Sequence, residues 1–412
     1  MEHFRYKGNK LYCDGADLSA VADRHGTPFY VYSKASLLGN LAEYQAAFRS
    51  INPVICYSVK SNGNLTLLKL LGGKGAGFDV VSGGELYRVG RAGGDMKKVV
   101  YAGVGKRADE IEAALKAGIL MFNCESVNEM VRIDRISRSL GKKAAVAVRV
   151  NPDIDADTHK KITTGTKENK FGILFGDLVR QLPVIRSLKH VDWRGVHIHI
   201  GSQITRVAPF KQAVLRTLRY VTELKERGIR LDTFNLGGGL GVAYDREKVE
   251  TPADLARAVV PLIKSRGLKL ILEPGRYISA QAGALIATVQ YVKRGHEKKF
   301  VITDAGMHNL IRPALYDSYH EIVPLVRRKG PRLRADVVGP VCESSDWFAK
   351  DRSLPCLEEG DRLAVLTAGA YGFAMSSRYN AHPLVEEVLI DGRKDRTIRR
   401  AETYADMVRH EE

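Results

Sequence analysis

The chain has 412 residues, 44% hydrophobic and 27% charged, with no low-complexity tract, which describes a globular protein long enough for two domains or for one barrel plus a further module. No apolar run approaches the ~20 residues of a membrane span, and residues 1–8 lack the apolar segment of a signal peptide, so the expected location is the cytoplasm. The formal net charge of +17 admits nucleic acid or anionic ligands as partners, but the basic residues are scattered, no basic arm or recognised nucleic-acid motif is present, and 327–329 and 392–400 read as short solvated runs.

Residues 1 to about 32 read as a β-rich leader with one short helix, and a helix capped by Ser33 follows to about Arg49. A repeating strand-then-helix pattern comes next, with strands at 54–59, 77–81, 98–102, 119–123, 144–150, 194–200, 233–237 and 269–273. Eight such strands predict an α/β fold of the (β/α)8 TIM-barrel type rather than an open doubly wound sheet. After about Tyr277 the rhythm changes to short β-like runs at 284–292, 299–304, 335–339, 361–366 and 386–390, with no long amphipathic helix between them. The expected organisation is a barrel over 33–280 and a second, mostly antiparallel β-domain, sandwich- or barrel-like, from 1–32 plus 281–412.

The five cysteines are odd in number and form no CxxC pair, which argues against a disulfide framework or a structural zinc site; most read as buried thiols, with Cys342 set apart. In a (β/α)8 barrel the chemistry sits at the C-terminal ends of the strands. Those ends carry Lys60, Asp79, Arg149, His197, His199, Gly237 to Gly239, Glu273 and Arg276. Lys60 closes a buried run: it either snorkels to solvent or is held as a nucleophilic amine by a lowered pKa. The three glycines form either a tight turn or an anion cradle of bare N–H groups; they fit neither a Walker A loop nor the dinucleotide GxGxxG pattern. His197 and His199 point to one side of a strand, but no carboxylate lies at a matching ligand spacing, so no metal is expected. Glu273 at a buried strand end needs a positive partner, which is either Arg276 or a protonated ring nitrogen of a cofactor.

YSVKSN, FDVVSGGEL, HIHIGSQ, NLGGGLG, EPGR, NLIRPALYDSYH, GPVCES and AGAYGFAMSS stand in this order between Phe29 and Pro383. This set resembles the diaminopimelate decarboxylases, pyridoxal-phosphate (PLP) enzymes of the alanine-racemase-like fold. The resemblance implies PLP as cofactor, meso-2,6-diaminopimelate as substrate, L-lysine and CO2 as products, and the 33–280 barrel as the PLP-binding domain. It makes Lys60 the residue linked to PLP, His199 the ring-stacking histidine, Asp79 a neighbour of both, and Glu273 the partner of the pyridine nitrogen. It assigns the phosphate to Ser202, Gly237, Gly238, Gly239 and Tyr371, and the substrate to Arg276, Arg312, Tyr316, Glu343 and Tyr371. Cys342 corresponds to a cysteine contributed by the partner subunit of a head-to-tail homodimer with shared active sites. As implied catalytic groups, then, stand Lys60, Cys342 and His199.

Two positions depart from the family pattern: Ser345 replaces a glycine and Arg378 an asparagine, placing bulkier or charged groups where substrate access could be tuned. A decarboxylase of ornithine or arginine would want an acidic group for the distal amine, whereas Arg312 supplies a cation. A racemase would use a tyrosine as second base, and a non-catalytic regulatory homologue would have lost Lys60 or Cys342; both remain.

Overall fold

The computed structural model describes residues 3–154, 170–296 and 298–412. Two compact units are present: Leu41–Val242 with Lys248–Tyr277, and Met1–Asn40 with Ala243–Glu247 and Ile278–Glu412.

In the first unit, short apolar runs become parallel strands: β1 (Val54–Ser58), β2 (Gly77–Val80), β3 (Val99–Tyr101), β4 (Met121–Cys124), β5 (Ala144–Asn151), β6 (Val191–His197), β7 (Thr233–Asn235) and β8 (Lys269–Leu272). Each pairs in parallel with the next, and β8 pairs back onto β1, which closes the sheet into an eight-strand barrel. Parallel neighbours require crossover connections, and helices supply them. Their starts follow local chemistry: the Ser82 hydroxyl accepts the Glu85 N–H at 3.2 Å to begin Gly83–Arg91, and Thr251 and Asp254 form a capping box on Pro252–Lys264. Cys56, Val100, Met121, Ala147 and Ile271 form one buried cluster in the barrel. The strand expected at 194–200 ends at His197; Ile198 still donates to Asn235 O at 2.9 Å, and His199 then lies on irregular backbone beyond the strand.

In the second unit the leader supplies strand Phe29–Ser33, every residue of it buried. It runs antiparallel to Gly283–Arg294 and parallel to Glu386–Asp391 inside a mostly antiparallel sheet. The Ser33 hydroxyl accepts the Ser36 N–H at 2.9 Å, and the helix begins at Lys34. The run at 392–400 is a strand (Lys394–Arg399) as well as a solvated surface: a hairpin turn at Gly392, φ +64°, lays it against Glu386–Asp391. An outer strand needs no buried face, so its charge conceals it. Trp347–Pro355 is concealed in the same way by the run Lys350, Asp351, Arg352. Cys13, Cys56 and Cys124 are buried thiols, whereas Cys356 is exposed alongside Cys342.

Candidate active site

A single 3-10 turn, Val59–Ser61, follows β1 and delivers Lys60 to the C-terminal end of the barrel. Its Nζ lies 2.6 Å from Asp79 Oδ2, which stands on β2 with its side chain fully buried. Ser58 Oγ donates to the same oxygen at 2.8 Å. Burial pushes the Asp79 carboxyl up, against the Lys60 ammonium that favours its ionised form. Asp79 Oδ1 is buried without a hydrogen-bond partner among the described residues.

Glu273 follows β8. Its Oε1 accepts from Asn123 Nδ2 at 2.8 Å and Asn235 Nδ2 at 2.6 Å. Its Oε2 lies 3.3 Å from His197 Nε2, an ion-pair distance without hydrogen-bond alignment. Burial opposes the charge, yet His197, Lys60 and the Asn235 amide together hold the carboxyl below the usual carboxylate range. Of the two partners open to Glu273 in the sequence, Arg276 is not the one that holds it. Arg276 begins a short helix, Arg276–Ser279, and its Nη2 donates instead to Ser202 Oγ at 3.1 Å.

The glycine loop after β7 is pressed between these groups. A Cβ on Gly237 would stand 2.3 Å from Ile198 O, and one on Gly238 would stand 2.1 Å from Glu273 O. No side chain fits there, and Gly237 N–H donates to Asn235 Oδ1 at 2.9 Å while Gly238 N–H points at His199 Nδ1, 3.3 Å away. Burial, with the Arg149 and Lys60 charges nearby, pushes the His199 pKa well below its ordinary value, so the ring is neutral at physiological pH. Arg149 is tied to Glu125 at 2.9 Å and to His199 O at 3.1 Å.

An amine, an ionised carboxylate, a neutral imidazole and a side-chain-free loop thus meet at one barrel end. This set fits PLP: the side-chain-free loop leaves room for a phosphate, and Glu273 can accept a ring N–H. Gly238→Ala is expected to lower PLP affinity on the order of 100-fold or more, because the collision is with backbone and the loop must shift. Fluorescence titration of the apoenzyme with PLP measures it; wild-type affinity in the variant would deny the loop this role.

The other residues singled out in the sequence belong to the second unit. Arg312 is 4% exposed; its Nη1 donates to His320 Nε2 at 2.9 Å, and its guanidinium lies 4.5 Å from the Tyr244 ring centroid. Tyr316 ends the helix Arg312–Tyr316. Tyr371 has φ +56°, a strained conformation for a bulky residue and one that concentrates at functional sites. Cys342 is exposed, its N–H donating to Asn380 Oδ1 at 2.8 Å, and Glu343 Oε2 accepts from Tyr379 OH at 3.2 Å. Ser345 Oγ points at Met307 Sδ, 3.8 Å away. Arg378 is paired with Glu402, so its charge is already engaged.

Sequence reasoning missed Asn123 and Asn235, which hold Glu273, and passed over Glu85, whose Oε2 accepts the Val81 N–H at 2.8 Å. Burial pushes Glu85 up to about 7. The available signals were amides inside apolar strands and the S-x-x-E start of a helix.

The family model for the pyridoxal-dependent decarboxylase, pyridoxal binding domain, matches residues 34–280. The diaminopimelate decarboxylase of Neisseria meningitidis serogroup B is 46% identical over 401 residues, 97% of this chain and 97% of that protein. Among solved structures, diaminopimelate decarboxylase of Helicobacter pylori complexed with L-lysine superposes with a TM-score of 0.92 at 40% identity, covering 95% of this chain and 98% of that one. The enzyme of M. jannaschii in co-complex with L-lysine gives 0.95 at 37% identity, covering 100% and 98%.

Proposed function

The chain belongs to the diaminopimelate decarboxylases within the pyridoxal-dependent decarboxylases, and from that membership we propose that it converts meso-2,6-diaminopimelate to L-lysine and CO2 with PLP as cofactor. The observation that carries this reading is the meeting of Lys60, ionised Glu273 and the glycine loop at one end of the closed barrel.

Bound PLP supplies a sink for the electron pair left behind when CO2 departs. The barrel domain, 33–280, holds it. Lys60 Nζ would tether it, and Gly237, Gly238 and Gly239, with Ser202 and Tyr371, would bind its phosphate. His199, neutral, would stack on the ring, and Asp79 holds Lys60 in place. Glu273 would accept the ring N–H, which would keep that nitrogen protonated and the sink deep. Arg276 and Arg312 take the distal carboxylate, with Tyr316 and Glu343 beside the substrate. Ornithine or lysine would bring no distal carboxylate to those guanidinium groups, a cost that supports selectivity. A proton returns to the carbon that lost CO2, from Cys342 Sγ or Lys60 Nζ.

The matching assembly is a head-to-tail homodimer in which Cys342 serves the partner's site, and the matching location is the cytoplasm, where five free cysteines are at home. No helix among the described residues is long and apolar enough to cross a membrane.

The test is CO2 release from meso-diaminopimelate with and without added PLP, beside ornithine and lysine. Release that needs PLP and is confined to diaminopimelate is expected; release from ornithine at a comparable rate would refute the substrate assignment. Shared sites have their own check. Inactive Lys60→Ala and Cys342→Ala chains, unfolded and refolded together in equal amounts, should recover about a quarter of the wild-type sites through mixed dimers. No recovery contradicts sharing.

A further inference from the structure

The loop carrying Cys342 and Glu343 is fixed from two sides. From within, Asp346 closes it: Oδ1 accepts the Met307 N–H at 2.6 Å and Oδ2 the Val341 N–H at 2.7 Å. From outside, Asn380 takes the Cys342 N–H and Tyr379 reaches Glu343. Both outer partners stand in one turn, Tyr379–Ala381.

That turn carries two backbone hydrogen bonds of its own, Ala381 N–H to Arg378 O at 2.9 Å and His382 N–H to Tyr379 O at 3.3 Å, and it is strained. Asn380 has φ +52° and Ala381 φ +58°, two successive left-handed residues, and alanine has no polar side chain to offset the strain. The residue just before them is Arg378. Its Nε donates to Glu402 Oε2 at 3.0 Å and its Nη2 to Glu402 Oε1 at 2.6 Å, a two-pronged pair. Glu402 is itself anchored, accepting the Leu384 N–H through Oε2 at 3.1 Å while its own N–H donates to Leu384 O at 2.9 Å. The strained turn is therefore closed between Arg378 on one side and Leu384 on the other, both fastened to one carboxylate near the C-terminus.

We propose that Arg378, through its ion pair with Glu402, is a positioning residue that fixes the Tyr379–Ala381 turn and thereby sets Cys342 and Glu343 for reaction. The proposal deepens the functional reading given above and rests on it. It also gives a purpose to a residue that departs from the family pattern. The arginine acts on the loop from behind, through backbone and two hydrogen bonds, rather than on the substrate.

The experiment uses full-length, PLP-loaded enzyme. Arg378→Ala and Glu402→Gln should each lower kcat about three- to tenfold, the scale of a well-aligned exposed pair, with PLP content unchanged. The double variant should be no worse than either single one, since both remove the same contact. Arg378→Lys, which keeps a charge opposite Glu402 and leaves the Leu384 anchor intact, should recover part of the loss. The solvent deuterium isotope effect on kcat should rise in the single variants, because a misplaced thiol slows proton delivery; a merely structural role would leave it unmoved. A kcat of wild-type size in Arg378→Ala, beside a crippled Cys342→Ala, overturns the proposal. So does a loss in Arg378→Lys as large as that in Arg378→Ala. A Cys342→Ala enzyme of wild-type activity would instead overturn the reading of Cys342, which separates the two failures.

Discussion

Replacing Lys60 with alanine should lower CO2 release from meso-diaminopimelate on the order of 10³-fold or more, because the chain loses both the amine that tethers PLP and a source of protons at the reacting carbon. The side chain is one-third exposed at the barrel end while its partner Asp79 is fully buried, so the amine reaches into the site and is held there at 2.6 Å. Lys60→Arg should be as inactive as Lys60→Ala. Arginine keeps the charge opposite Asp79 but cannot shed its proton to become a nucleophile. That pair of variants separates charge from nucleophilicity. The fold should survive both: without the ammonium, Asp79 can take up a proton, since burial already pushes its pKa up. Decarboxylation at the wild-type rate in either variant would rule out this role for Lys60.

Glu273→Gln is the second change with a large expected effect, a fall in kcat of about 10²- to 10³-fold with little change in KM. Glutamine keeps the shape and can still present an oxygen to Asn123 and Asn235, whose amides meet Glu273 Oε1 at 2.8 and 2.6 Å. It then turns an NH2 toward the cofactor and cannot hold the ring nitrogen protonated. The pH behaviour follows from the sign of the shift. A carboxyl held below its ordinary value of 4.5 is ionised throughout the neutral range, so Glu273 contributes nothing to a pH profile of kcat between about 5 and 9. Its stabilising effect is present above the unfolded value of 4.5 and is lost as pH falls below that toward the folded value. Acid unfolding of Glu273→Gln should therefore begin from a less stable protein and fall less steeply below pH 4.5. Equal kcat in the two enzymes would refute the part given to Glu273.

The barrel was legible because its strands are short apolar runs at regular spacing, and parallel strands buried on both faces show little else. Lys60, Glu273 and the glycine loop were legible because each interrupts or follows such a run with a residue the interior tolerates poorly. What stayed hidden was pairing in space. Glu273 and Arg276 are three apart in sequence, yet the carboxylate meets His197, Asn123 and Asn235 from β6, β4 and β7. Strands Trp347–Pro355 and Lys394–Arg399 were hidden because charged side chains on a solvated strand erase the period-two signal. Arg378 was visible as a departure, but its partner Glu402 lies in a stretch that carries no motif.

One measurement bears on the central claim most directly. Enzyme loaded with PLP is reduced with borohydride, digested, and its peptides are mapped by mass spectrometry. A pyridoxyl group on Lys60 alone is the expected result, and a modified lysine elsewhere, or none, would contradict the placement of the cofactor at this barrel end.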